Sequence, residues 1–443
     1  WTWMKGSSNR DQSGTYGTQG VPDAANIPGA RRGAVSWTDN SGALWLFGGY
    51  GYGSEVGGKL NDLWKYDPAT NNWTWMKGSS TGEQPGSCGT LGIPDAANSP
   101  GARQYAVSWT DNSGALWLFG GDGYDCSGYL TFLGDLWKCE SPPSNWNRLR
   151  GGLDSPEPGV YGSQGVPDEK NTPGGRHVAA SWTESSGEFW LFGGYGFDGA
   201  GEAGWLNDLW RYERATGYWT WMKGSAARNE PGVHGTRDTV DPATVPGARE
   251  LPATWIDGSG DFWVFGGYGI DGEGSSGYLG DLWQYDGSTG DWTWKMGAPE
   301  RDQPGSYGVR GMPAAANIPG AREDAATWTD PSGNFWLFGG QGFGERGRQG
   351  RLNDLWKYHP VTENWTWVGG SSTINQSGTC GILGIADPAN IPGARYGAVS
   401  WIDGAGNLWL FGGRGYDAAG SFGELSDLWQ YDPATGNWTW MKG

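Results

Sequence analysis

Two charged residues recur at a fixed beat along this chain. One is an arginine after Pro-Gly or a variant of it, at Arg31, Arg103, Arg176, Arg249, Arg322 and Arg395. The other is an aspartate ahead of Leu-Trp, at Asp62, Asp135, Asp208, Asp281, Asp354 and Asp427. Arginines gathered at one rim can bind an anion, because the guanidinium is a rigid fork of donors that matches carboxylate or phosphate oxygens. The plainer use is internal, each arginine pairing with a carboxylate or capping loop carbonyls. Presence in every repeat favours the internal use, since recognition and catalysis need only one or two special sectors.

Other candidates are less regular. Asp125, Asp198, Asp271 and Asp417 lie in glycine-rich loops, and clustered oxygens of this kind are what calcium takes. Gly53 and Gly344 hold that place in two repeats, however, and turn-forming Asp is the competing reading. The histidines, His177, His234 and His359, fall in three different repeats with no second His at ligand spacing. Cys88 and Cys380 fill the slot held elsewhere by Tyr16, Tyr161, His234 and Tyr307. Four cysteines allow three pairings. Cys88 with Cys126 is preferred because both should share a face of the second repeat, and four unpaired thiols are the alternative. Tyr50, Tyr52, Tyr124, Tyr195, Phe197, Tyr268, Phe343 and Tyr416 follow the glycine pairs less uniformly. Rigid amphipathic rings suit sugar or protein recognition, against the alternative of loops packing on themselves.

What must position these residues is a repeat. The run Leu44-Trp45-Leu46-Phe47-Gly48-Gly49 returns with glycine pairs beginning at Gly120, Gly193, Gly266, Gly339 and Gly412, spaced by 72 residues once and 73 four times. Around it lie Val35-Ser36-Trp37, a turn at Asp39 to Gly42, Leu60-Asn61-Asp62-Leu63-Trp64, and Trp73-Thr74-Trp75. These are four strand-like runs per unit, with turn chemistry between them and no helical periodicity. The expectation is an all-β, six-bladed β-propeller of four-stranded antiparallel blades. It forms a single domain over 1–443, with blades near 33–77, 105–149, 178–222, 251–295, 324–368 and 397–442. Residues 1–6 copy the strand that closes the chain at Trp438 to Gly443, so one outer strand is surplus. In such a blade the long segments between units and the glycine-rich loops share one face, where function is expected.

Four apolar residues, a double glycine, then a Tyr and a Trp spaced further on resemble the kelch signature. The whole unit looks like the Trp-rich kelch-type arrays of large bacterial secreted or surface proteins. That resemblance implies a propeller at the cell surface or outside the cell, while one propeller scaffold carries many activities. It also brings galactose oxidase to mind, a copper-radical propeller with Tyr and His ligands. No such set maps onto this chain, so a copper-dependent oxidase is the remote alternative. The turn Thr38 to Trp45 looks a little like the Asp-box of sialidase propellers but has Asn where the box wants Asp. No paired catalytic carboxylates can be assigned, so no catalytic residue is expected.

Composition narrows the partners. With 48 acidic and 30 basic side chains the net charge is −18, which repels phosphate backbones and sets nucleic acid aside. Apolar runs stop far short of a membrane span, so no insertion is expected. The chain opens on Trp1 rather than Met and reads as a processed or partial product. Sequons at Asn72, Asn364, Asn375 and Asn437 carry little weight in a chain of bacterial look. Strand Trps are expected to bury roughly 150–250 Å² each and to glue blade to blade. The function expected is a non-catalytic extracellular scaffold that partners other proteins or copies of itself. Trp1, Trp3, Trp438 and Trp440 would mediate outer-strand exchange. The alternative is a lectin-like module that binds glycan or protein through the long-loop aromatics.

Overall fold

The structure, a computed structural model, describes residues 11–55, 57–140, 145–152 and 156–443. It comprises two compact units, one running to Arg228 and one from Asn229 to Gly443. Each holds three repeats of a four-stranded antiparallel sheet, the first and the last sheet of the chain gaining a fifth strand, and no described residue is helical. In the second repeat the strands are Val107–Thr110, Leu116–Phe119, Leu136–Glu140 and Asn145–Arg150, hydrogen-bonded in chain order. Consecutive strands lie side by side because the turns are tight. Asp111 closes one by accepting from the Ser113 and Ala115 amides at 2.9 and 3.1 Å. This is the Asx-turn chemistry that lets a short polar side chain replace a backbone partner. The chain is therefore an all-β array of propeller-type blades.

Period-two geometry gives each sheet two apolar faces. One carries the counterparts of Val35, Trp45 and Phe47, the other those of Leu44, Leu46, Trp64 and Trp73. Within each unit the first kind of face packs on the second kind of the next sheet. Val35, Trp45 and Phe47 join Leu116, Leu118 and Trp146, and Ala326, Trp336 and Phe338 join Leu408, Leu410 and Trp438. Trp64, Trp137, Trp210, Trp283, Trp356 and Trp429 are fully buried, so these rings glue sheets together and no ligand can stack on them.

The structure departs from the expected scheme in two ways. First, the second and third strands do not stop at the glycine pair. In the first repeat they run on as Leu44–Tyr52 and Gly57–Asp67, with a register shift between Phe47 and Gly49. Elsewhere the continuation is a separate three-stranded sheet, such as Arg103–Gln104, Asp122–Tyr124 and Leu130–Phe132. Gly48 and Gly49 have φ of 67° and 95°, a left-handed pair that only glycine adopts freely. A Cβ on Gly48 would also stand 2.9 Å from the Arg103 carbonyl.

Second, the long segments do not lie only on the loop face; they also cover the outer strand of their own sheet. The Gly20 amide donates to the Trp75 carbonyl at 2.8 Å, and Asn26 Nδ2 donates to the Trp73 carbonyl at 3.0 Å. Asn98, Asn171, Asn317 and Asn390 repeat the latter bond on Trp146, Trp219, Trp365 and Trp438. In the last sheet Ala386–Asp387 is a short strand against Thr439 and Trp438. The outer edge expected to offer unpaired backbone is thus occupied by the chain itself, the usual way of blunting an edge strand. Trp438 and Trp440 lie in Asn437–Lys442, which pairs with Leu428–Asp432 on its other side. Trp1 and Trp3 lie outside the described residues.

Candidate functional site

The arginine and aspartate sets meet in pairs. In all six repeats Nη1 and Nη2 of the arginine donate to the two carboxylate oxygens, at 2.5–2.7 and 2.7–2.9 Å. Arg176 shows the full node. Its Nε donates to the Gly174 carbonyl and its Nη1 also to that of Gly193, both at 3.0 Å. Asp208 in turn accepts from Tyr161 Oη at 2.6 Å and Trp210 Nε1 at 2.7 Å. Tyr16 and Tyr307 do the same on Asp62 and Asp354, and His234 Nε2 lies 3.2 Å from Asp281 Oδ2.

Burial works against the charged Arg176, but the field and hydrogen bonds of Asp208 outweigh it and hold the guanidinium above its ordinary value. Burial, then the charge of Asp208, pushes the Tyr161 phenol well up, so it remains a donor. Burial would raise Asp281, but Arg249 and His234 hold it far below the carboxylate range. The glycine that turns the chain toward each arginine is just as tightly held. A Cβ on Gly174 would stand 2.0 Å from the Phe197 carbonyl. Each node is an internal clasp that ties the long segment, the glycine pair and the third strand together, and it engages four of the five N–H donors of the arginine.

The four loop aspartates are also spent on their own turns. Oδ1 accepts from Ser127 and Tyr129 at Asp125, from Ala200 and Glu202 at Asp198, from Glu273 and Ser275 at Asp271, and from Ser421 at Asp417. Among the described residues no group of three or more His, Cys, Asp or Glu side chains could hold a metal ion. The structure joins Cys88 and Cys126 in a disulfide, with Cα atoms 5.9 Å apart, while Cys139 and Cys380 take part in no disulfide.

The small sheets carry what differs between repeats. In register, the clasp arginine pairs across to glycine on the next strand in every repeat: Arg31 to Gly51, Arg103 to Gly123, Arg176 to Gly196, Arg249 to Gly269, Arg322 to Gly342 and Arg395 to Gly415. One residue along, the side chains point the other way and form six different cross-strand triplets. These are Arg32–Tyr50–Lys59, Gln104–Asp122–Phe132 and His177–Tyr195–Trp205 in one unit. The other unit has Glu250–Tyr268–Tyr278, Glu323–Gln341–Arg351 and Tyr396–Arg414–Glu424.

Each triplet touches the next within its unit. Lys59 Nζ lies 3.2 Å from Asp122, which also accepts from Gln104. Phe132 stacks on His177 with centroids 5.0 Å apart. Tyr278 Oη accepts from Gln341 and Gln349 at 2.5 and 2.9 Å, and Arg351 lies over Tyr396 at 5.7 Å. The result is a belt of mixed charge and aromatic rings, partly open to solvent: Arg32, Tyr50, Arg414 and Glu424 are exposed and most others half-buried.

The belt stands on strained backbone. The residue following its first member has positive φ without being glycine at Tyr105, Val178, Leu251 and Asp324, between 48° and 53°. For a β-branched Val this is a true outlier. It is held by backbone bonds from sheet to sheet, Tyr105 N to Gly33 O at 2.8 Å and Asp324 N to Leu251 O at 3.1 Å. Burial, then the charges of Glu250 and Asp324, raises Glu323 to about 7. Burial raises Asp324 to about 6 and lowers His177.

Of the aromatic residues singled out in the sequence, Tyr50, Tyr195 and Tyr268 sit in the belt. Tyr52, Tyr124, Phe197, Phe343 and Tyr416 lie two residues on, in the adjoining row of the same side. Sequence reasoning missed the flanking members: the residue after each clasp arginine, and the residue before the leucine that opens the Leu-x-Asp run. The signal was available as two positions that vary inside an otherwise constant frame.

No family model matches the sequence, and no curated protein matches it. What the fold and the belt define is a class, a propeller-type array with a constant clasp in every blade and a non-repeating belt beside it. Among the described residues, no helix is long and apolar enough to cross a membrane.

Proposed function

We propose that this chain is a non-catalytic, kelch-type propeller module that works outside the cell as an interaction scaffold, binding a protein partner through its belt. One observation carries the reading. Adjacent register rows of the same small sheets hold a fixed Arg/Gly pattern on one side and six unlike triplets on the other. Packing alone, repeated six times, would settle on one solution, as it does for the clasps. A surface that differs at every step suits a partner that is itself irregular, and mixed Arg, Tyr and Trp side chains are the types that anchor such contacts.

The kelch likeness rests on the apolar run with its double glycine and the spaced Tyr and Trp. The disulfide between Cys88 and Cys126 favours an oxidising compartment. The non-catalytic reading is supported by clasps in which four of the five N–H donors of each arginine are engaged internally.

The test is capture from the medium surrounding the source cells with the immobilised chain, comparing Tyr50→Ala, Tyr195→Ala and Glu323→Ala. A saturable protein ligand, weakened at least tenfold by one of these changes, supports the reading. Capture unaffected by all three would defeat it. Glycan binding lost in the same variants would replace the protein partner by the lectin-like alternative, which the Phe132–Tyr195–Trp205 cluster favours, with centroids 5.6 Å apart at each step.

A further inference from the structure

One of the glycine-rich loops lacks the carboxylate that ties its neighbours together. In the third repeat Asp198, 4 % exposed, accepts through Oδ1 from the Ala200 and Glu202 amides at 2.8 and 2.9 Å and through Oδ2 from the Arg228 amide at 3.2 Å. In the fourth, Asp271, 3 % exposed, takes the Glu273 and Ser275 amides at 2.9 and 2.8 Å on Oδ1 and the Arg301 amide at 3.2 Å on Oδ2. In the fifth repeat the same place holds Gly344, and the corresponding amides belong to Arg346, Arg348 and Ile374. The backbone of the loop is nevertheless unchanged. Gly344 N donates to Arg348 O at 3.2 Å and Gly347 N to Gly344 O at 3.1 Å, as Asp271 N does to Ser275 O at 2.9 Å and Gly274 N to Asp271 O at 3.3 Å. The covering turn keeps its place too, Glu345 N donating to Ser372 O at 2.9 Å where Gly272 N donates to Pro299 O at 2.8 Å. Among the described residues no group accepts from the Arg346, Arg348 or Ile374 amide.

We propose that this loop binds a carboxylate from outside the chain, on a small organic acid or on the Asp or Glu side chain of a partner. One oxygen takes the Arg346 and Arg348 amides and the other that of Ile374, the division that Asp198 and Asp271 show. A crevice of about 250 Å³ lies at this spot, its lining including Gly344, Arg346, Arg348, Ser372, Ile374 and Gln376. That is below the roughly 300–1,000 Å³ of sites that enclose a whole ligand, so it suits a small head group. Backbone N–H groups converging on one point form an anion site, and the side chains add to it. The two loop residues that donate are arginines here, both exposed, and neither side chain makes an ion pair or hydrogen bond among the described residues. Glu345 beside them is occupied, accepting from Ser372 Oγ at 2.7 Å. In a chain of net charge −18, two such cations draw an anion to this loop, and the guanidinium fork matches a planar carboxylate. The first repeat also has glycine in this place, Gly53, but its loop carries Glu55 and no arginine. The site lies wholly within the second unit and does not rest on the belt reading.

The experiment follows the Arg346, Arg348 and Ile374 amides of the full, isotope-labelled chain by NMR while sodium acetate or a blocked Ala-Asp-Ala peptide is added. Sodium chloride and sodium phosphate at matched ionic strength serve as comparisons. The expected result is saturable downfield shifts of all three amides with acetate or peptide and none with chloride. Gly344→Asp, which returns the carboxylate in cis, should shift the same amides by itself and abolish the response. Its Cβ would stand 2.7 Å from the Ser372 carbonyl, so the covering turn must give slightly, and a second variant is needed. Arg346→Ala combined with Arg348→Ala changes only exposed side chains, keeps the amides, and should weaken binding about tenfold or more. Saturation by acetate makes a small acid sufficient, whereas a peptide that binds far more tightly assigns the carboxylate to a partner's side chain. Shifts that never saturate with acetate or peptide, phosphate bound as tightly as acetate, or unchanged binding by the double arginine variant would each overturn the proposal.

Discussion

Replacing Arg176 by methionine tests the claim that the clasps are structural and internal. Arg176 and Asp208 are fully buried, and the arginine spends four of its five N–H donors on Asp208, Gly174 and Gly193. Methionine keeps much of the volume but leaves the carboxylate buried with only Tyr161 and Trp210 as donors, and leaves two carbonyls without the guanidinium. Breaking a buried pair from one side costs about 3–5 kcal/mol, whereas removing both charges together is far milder. The double change, Arg176→Met with Asp208→Leu, should therefore cost at least about 2 kcal/mol less than the sum of the single changes. Tyr161→Phe, which removes one hydrogen bond to a charged group, should cost about 1.5–3 kcal/mol. Urea unfolding followed by tryptophan fluorescence gives the overall numbers. An array of repeats can lose cooperativity, so hydrogen exchange of Leu209–Glu213 should accompany it. If Arg176→Met costs under about 1 kcal/mol, or the double change is simply additive, the clasp is not the strong internal node that its geometry implies.

Three further predictions concern other parts of the molecule. Glu323 has its folded pKa raised to about 7, so its contribution to stability is fully present below the usual glutamate value of 4.5 and is lost as pH rises through about 7. After discounting for its partial exposure, the loss should be about 1–2 kcal/mol. Glu323→Gln should flatten that part of a stability-against-pH curve, and an unchanged slope would refute the assignment. Cys88→Ser opens a loop of 38 residues and should cost up to about 4 kcal/mol in thermal or urea unfolding, with the same loss on reducing the parent chain. Gly174→Ala drives a methyl to 2.0 Å from the Phe197 carbonyl and should cost about 3 kcal/mol or more. Gly165→Ala, left-handed but with open space around it, should cost only about 1–2 kcal/mol, so equal losses at the two sites would refute the crowding argument.

The frame of the fold was legible because the same physical solution is written six times. The Trp-Leu-Phe-Gly-Gly run, the Arg after Pro-Gly and the Asp before Leu-Trp each state one local requirement, and the structure satisfies them in one clasp per repeat. Two things were hidden for physical reasons. The cover on the outer strand depends on side chains such as Asn26 and Asn171 reaching carbonyls 47 and 48 residues away. Their own segment is polar and turn-rich, so neither strand periodicity nor a hydrophobic stripe announces it. The belt was hidden by the repetition that exposed everything else. Arg32, Gln104, His177, Glu250, Glu323 and Tyr396 share a position, but only the two glutamates share a chemistry, so comparison between repeats discards them as noise. Strand geometry reverses that judgement: a residue one step from an invariant buried arginine must point to the opposite side of the sheet. Where one side is held constant by a clasp, variation on the other is free of the packing constraint and is open to be shaped by a partner. In an array this uniform, the place to look for function is the register row beside the most constant one.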